Sequence, residues 1–94
     1  MSKIIIKTKK TFFDVTGKER DIKEIKSFLI SINNHIIDTE KKTIIKNVFK
    51  SMLLNKEISL EDLLNTKITI YLYTLWFFHN ETIRIKDLFS ITIK

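Results

Sequence analysis

The chain has no cysteine, no proline, no alanine and no glutamine, and only one glycine, Gly17. Each absence excludes something. Without cysteine there are no disulfides, no thiolate metal ligands and no cysteine nucleophile. With one glycine there is no glycine-rich loop to cradle a phosphate. Histidine is scarce as well: His35 and His79 are the only two, and no set of neighbours gives either a metal-ligand spacing. Both are expected at element boundaries as polar turn residues, although His79-Asn80-Glu81 brings an imidazole and a carboxylate close in sequence. The carboxylates are scattered among lysines rather than paired. Catalysis needs a nucleophile, a base and a stabilising group within reach of one another. The expectation is therefore a protein that is not an enzyme and uses no cofactor and no metal. No apolar run approaches the roughly 18 residues of a membrane span. The start, MSKIIIKTKK, offers neither the apolar length nor the small-residue cleavage site of a secretory signal. A cytoplasmic location is expected, and the lack of cysteine fits it.

What is present is lysine and isoleucine. Fifteen of the seventeen basic residues are Lys, Ile occurs eighteen times, and the formal net charge is +6. An excess of Lys, Ile and Asn without Ala is what an AT-rich genome writes through codon composition, so the basicity reads first as that bias. Small size and this composition suggest a phage or mobile-element source. A basic balance is also the footprint of nucleic-acid binding.

Ninety-four residues make one small domain, 1–94. Lys3 to Thr8 reads as a strand rich in β-branched residues, and Thr11 to Val15 as a second short one. Thr16-Gly17-Lys18-Glu19 has capping-box spacing, and Ile22, Ile25, Leu29 and Ile32 recur at three- and four-residue intervals. Together they predict a helix over 17–32, stopped at Asn33-Asn34. Asp38 or Thr39 is expected to cap a second helix over 38–54, striped by Ile44, Ile45, Val48, Phe49, Met52 and Leu53. Lys42, Lys46 and Lys50 form a row on its other side. Ser59 opens a short helix over 60–64.

The densest apolar run is Lys67 to Phe78, KITIYLYTLWFF. As a helix it would expose aromatics all round. As a strand it puts Ile68, Ile70, Leu72, Trp76 and Phe78 on one face, and Tyr71 and Tyr73 on the other, so strand is favoured. His79-Asn80 is expected to turn the chain. Beyond it Ile83, Ile85, Phe89, Ile91 and Ile93 keep one period-2 phase, broken only by a bulge or turn at Asp87-Leu88. Ile58–Leu64 and Ile83–Phe89 echo one another at an offset of 25 residues, too little for a repeat array.

The expected fold is α+β: a small antiparallel sheet made of the N-terminal strand and the C-terminal hairpin, covered by two amphipathic helices. The alternative is a mainly α, winged-helix-like chain with 67–78 as recognition helix. That helix would offer base edges little beyond Lys67. The expected function is regulatory or inhibitory, in the manner of an inhibitor, an immunity protein or an antitoxin, acting by contact with another protein or with a second copy as a homodimer. Tyr71 and Tyr73 are the candidate interface residues. The alternative is nucleic-acid binding, with Lys7, Lys9, Lys10, Lys42, Lys46 and Lys50 as candidate contacts to phosphate or to an acidic partner. Association with a membrane surface ranks last.

Overall fold

Asn33 and Asn34 both adopt positive φ, 44° and 67°. They form a two-residue turn between paired Ile32 and His35. Two left-handed central residues are what a type I′ hairpin requires, and Asn tolerates that conformation. This pair therefore closes a hairpin rather than ending a helix, and the predicted helix over 17–32 is overturned. The computed structural model describes residues 3–73 and 78–94, with Phe78 described in its backbone. In it the 17–32 segment is mostly extended. β1 (Ile4–Thr8) is followed by β2 (Thr11–Phe13), β3 (Glu19–Asp21), a 3₁₀ turn (Ile22–Glu24), β4 (Ile25–Ile32) and β5 (His35–Thr39). Next come α1 (Lys42–Leu54), α2 (Leu60–Asn65), β6 (Lys67–Tyr73), β7 (Phe78–Arg84), α3 (Ile85–Leu88) and β8 (Phe89–Ile93).

The helical spacing of 22–32 has a strand explanation. Phe28, Ile30 and Ile32 alternate into the core as a strand should. Between Ile25 and Ser27 the register with β6 slips. One extra residue in a strand turns a two-residue interval into three, so buried Ile25 and buried Phe28 stand three apart and mimic a helix. The capping box lies five residues later than its predicted place, at Asp21–Glu24 instead of Thr16–Glu19. Glu24 accepts from the Asp21 backbone N–H at 2.9 Å, and Asp21 accepts from Lys23 N–H at 2.8 Å.

The main sheet is four-stranded and antiparallel, in the order β5-β4-β6-β7, with separate two-stranded ladders β1-β8 and β2-β3. The expected small sheet covered by two helices is thus replaced by a strand-dominated α+β fold, with three α-helices among the described residues. The N-terminal strand pairs with β8, not with β2. The winged-helix alternative fails because 67–73 is a strand, with Ile68, Ile70 and Leu72 buried as the alternation predicts. His79 and Asn80 lie inside β7 rather than at a turn. The assignment of Trp76 to the core face falls outside the described residues. α1 begins at Lys42 because Asp38 and Thr39 are spent on β5. Thr39 still helps, since its hydroxyl accepts from Lys41 N–H at 3.0 Å.

The 25-residue echo has a structural counterpart. Ser59 and Arg84 are the N-caps of α2 and α3, Asp62 and Asp87 occupy the third helical position of each, and Leu63 and Leu88 are both fully buried. The two turns pack on one another. α3 is also what breaks the period-2 phase at Asp87-Leu88.

A single core cluster joins one face of the main sheet (Phe28, Ile30, Ile68, Ile70) to α1 (Ile45, Phe49, Met52), to Leu63 and Leu88, and to Phe89 of β8. Helices and the β1-β8 ladder therefore lie on one side of the four-stranded sheet. No described helix is long and apolar enough to cross a membrane.

Candidate functional site

The sheet's register fixes its second face. Leu29 pairs with Thr69 and Thr69 with Thr82; Ser27 pairs with Tyr71 and Tyr71 with Asn80; Ser31 pairs with Ile36. None of these residues belongs to the core cluster, and every buried helical residue joins the core on the opposite face. Among the described residues, then, this face has no covering layer. Tyr71 is half-buried between its neighbours and Tyr73 is 52 % exposed. The two predicted interface tyrosines stand on the same side of β6, a central strand. Thr69 and Thr82 approach hydroxyl to hydroxyl at 3.4 Å across β6 and β7.

Ile36 has the largest exposure of any large apolar side chain described, 77 %. It sits on β5, an edge strand of the sheet. Natural edge strands are usually protected by charged side chains, proline, a bulge or short length; β5 (HIIDT) is five residues long and carries one charge, Asp38, and no lysine or proline. At the end of the face toward Tyr73 two shallow grooves adjoin. One of about 470 Å³ is lined by Lys26, Ser27, Glu40 and Tyr73. The other, of about 480 Å³, runs from Ser27 past Asp38 and Glu40 to Ile44. Their charges are mixed, and the grooves hold no nucleophile paired with a base. No group of three His, Cys, Asp or Glu among the described residues could hold a metal ion.

The lysines divide. Lys46 and Lys50 line a groove of about 180 Å³ between α1 and β1, with Thr43, Asn47 and the partly buried Ile6. Lys42 begins the same helix and is half-buried. Lys7 is exposed on the other face of β1 from Ile6. Lys9 and Lys10 are exposed in the β1–β2 link, where their backbones bond to Leu88 and Ile22. The structure therefore gathers Lys46 and Lys50 into one site and leaves Lys7, Lys9 and Lys10 outside it.

Sequence reading missed a buried polar cluster beneath the β2–β3 hairpin. Asp14 Oδ1 accepts from Thr16 Oγ1 at 2.5 Å, from Thr16 N–H at 2.9 Å and from Lys18 N–H at 3.0 Å, while Oδ2 takes Arg20 Nε–H at 2.6 Å. Gly17 completes this loop at φ 85°, a conformation that disfavours any side chain. Glu81, buried in β7, accepts Val15 N–H at 2.7 Å and lies 3.3 Å from His79 Nε2. The adjacency of His79 and Glu81 in sequence thus becomes a contact, but both Glu81 oxygens are occupied and the cluster holds a loop in place.

The hydrogen bond from Thr16, then that from Arg20, holds the Asp14 carboxyl well below the usual carboxylate range, and Asp14 in turn raises the Arg20 guanidinium. A carboxyl depressed in the folded state stabilises the fold fully above its unfolded value of about 3.9, and that contribution fades as pH falls toward the folded value. Asp14→Asn should lower the thermal midpoint at pH 7 and make its decline between pH 5 and pH 2 shallower than that of the parent. Melts across that range check the slope, and parallel curves would contradict the assignment.

Comparison with known protein families, with characterised proteins and with solved structures finds no match for this chain. Function has to be read from the surfaces themselves.

Proposed function

We propose that the protein is a non-enzymatic regulatory or inhibitory factor that works by covering a surface on another protein, through the face of its four-stranded sheet that has no cover among the described residues. The observation that carries this reading is the set Leu29, Ile36, Tyr71 and Tyr73 on a sheet face outside the core. Tyrosine supplies large, stiff contact area with a polar tip and is enriched where binding energy concentrates. An exposed isoleucine on an edge strand offers backbone pairing as well as apolar contact. The neighbouring hydroxyls and amides of Ser27, Ser31, Thr69, Asn80 and Thr82 suit a polar rim. A cytoplasmic setting fits a cysteine-free chain.

Affinity capture from the native host, followed by size-exclusion chromatography with light scattering, tests it. A stoichiometric protein partner, or a second copy, is expected. Ile36→Lys and Tyr73→Ala should each weaken that association tenfold or more, as truncation of a central contact does, with folding checked by circular dichroism. Elution as a lone monomer with nothing captured, or capture unchanged in both variants, would contradict the proposal.

A further inference from the structure

The charges of this protein are segregated in space. Residues 3–10, 41–54 and 89–94 contain Lys3, Lys7, Lys9, Lys10, Lys41, Lys42, Lys46, Lys50 and Lys94, nine of the seventeen basic residues, and none of the eleven acids. The rest of the chain holds eight basic residues against all eleven acids. These three segments are far apart in sequence, yet they form one body. β1 pairs along its length with β8, and α1 packs beside β1. Lys3 and Lys94 exchange both backbone hydrogen bonds at the end of that ladder, at 2.6 and 2.8 Å. Codon bias spreads lysine through a chain, but it does not clear acids from three distant segments that meet in the fold. The side-chain nitrogens that contact carboxylates among the described residues, moreover, belong to Arg20, His35 or His79 and to no lysine. Among the described residues no lysine of this body forms an ion pair with a carboxylate.

We infer that the α1–β1–β8 body is a nucleic-acid docking surface that grips the phosphodiester backbone without reading sequence, centred on the groove between Lys46 and Lys50. The two lysines that line that groove leave the helix about one turn apart, roughly 6 Å along the axis at the backbone. Thr43 and Asn47 add neutral donors on the same helix face, and Ile6 lies between helix and strand. A cation repeated at every turn suits a polymer charged at regular intervals. Lysine acts there as a point charge rather than a bidentate fork. The body carries no arginine, so it lacks the planar fork that makes bidentate contacts to guanine. This surface lies on the helical side of the main sheet, away from the tyrosine face, and the inference stands whether or not that face binds a protein.

Fluorescence anisotropy with a labelled random-sequence DNA duplex and a labelled single-stranded RNA tests it, with labelled polyglutamate as the acidic-polypeptide control. Binding to at least one nucleic acid is expected at 50 mM salt, falling steeply by 200 mM. In Lys46→Gln/Lys50→Gln the slope of log affinity against log salt should drop by between one and two, since each phosphate contact contributes about 0.7–0.9. Lys46→Arg/Lys50→Arg should keep the parental slope. Lys23→Gln/Lys67→Gln, which removes the same charge from outside the body, should also keep it. Four results would overturn the inference: no nucleic-acid binding at 50 mM salt; polyglutamate binding as tight as nucleic acid; an equal loss of slope in the Lys23/Lys67 control; or no loss in Lys46→Gln/Lys50→Gln.

Discussion

Phe89→Ala should lower the stability of this protein by about 3–5 kcal/mol, the range for removing a buried phenylalanine. That is a large part of the roughly 5–15 kcal/mol a small domain has in total. Phe89 opens β8 and is 1 % exposed. Its ring meets Phe49 of α1 edge-on, with centroids 5.7 Å apart and planes at 88°. It also lies 6.5 Å from Phe28 of β4. One side chain thus joins the β1-β8 ladder, the long helix and the main sheet, and its loss opens a cavity where three elements meet. Phe13, a phenylalanine of the β2–β3 hairpin, is 62 % exposed, and Phe13→Ala should stay within about 0.5 kcal/mol of the parent. Urea titrations of the two variants check the contrast. Equal effects would contradict the assigned core.

Glu81→Ala should cost about 1.5–3 kcal/mol, the range for a lost hydrogen bond to a charged group. The Glu81 side chain is 5 % exposed and shares the core face with Ile70, its partner in register. One oxygen accepts the Val15 N–H and the other faces His79. Alanine strands the Val15 donor and frees the 14–18 loop from the sheet. Glu81→Gln keeps an acceptor for Val15 at the same volume and should lose well under half as much. Hydrogen exchange at Val15 should accelerate in Glu81→Ala and stay near the parental rate in Glu81→Gln. Unchanged exchange in both would show that the loop is held by Asp14 alone.

The fold was legible where a strand or helix was regular. Ile68, Ile70 and Leu72 alternate without interruption, which identifies β6 as a strand and puts Tyr71 and Tyr73 on the face away from the core. The stripe of Ile45, Phe49 and Met52 identified α1. Reading failed where one residue shifted the phase. The irregularity between Ile25 and Ser27 gives β4 a helical interval, and Asn33-Asn34 suits a helix end as well as the hairpin turn it forms. That ambiguity carries the expected sheet with it, because β4 is a central strand. Ile36 falls between the helices expected over 17–32 and 38–54, so nothing in the sequence marks it. Only the hairpin shows it to lie on an exposed edge.

The site residues follow the same logic. The Lys42, Lys46, Lys50 row is a helix periodicity and was visible at once. The clearing of acids was not, because 3–10, 41–54 and 89–94 become neighbours only through the β1-β8 ladder. The Asp14 and Glu81 cluster was hidden for a similar reason, with 66 residues separating Val15 from the carboxylate that holds it.

The central claim is that the tyrosine face of the sheet is open in the free protein and covered when the protein acts. Hydroxyl-radical labelling read by mass spectrometry, on the dilute monomer and on the captured complex, tests it most directly. Ile36 and Tyr73 should label readily in the monomer, Tyr71 to a lesser degree, and all three should be protected in the complex while Phe13 remains reactive. Protection of Ile36 and Tyr73 in the monomer, or labelling of both that persists in the complex, would contradict the claim.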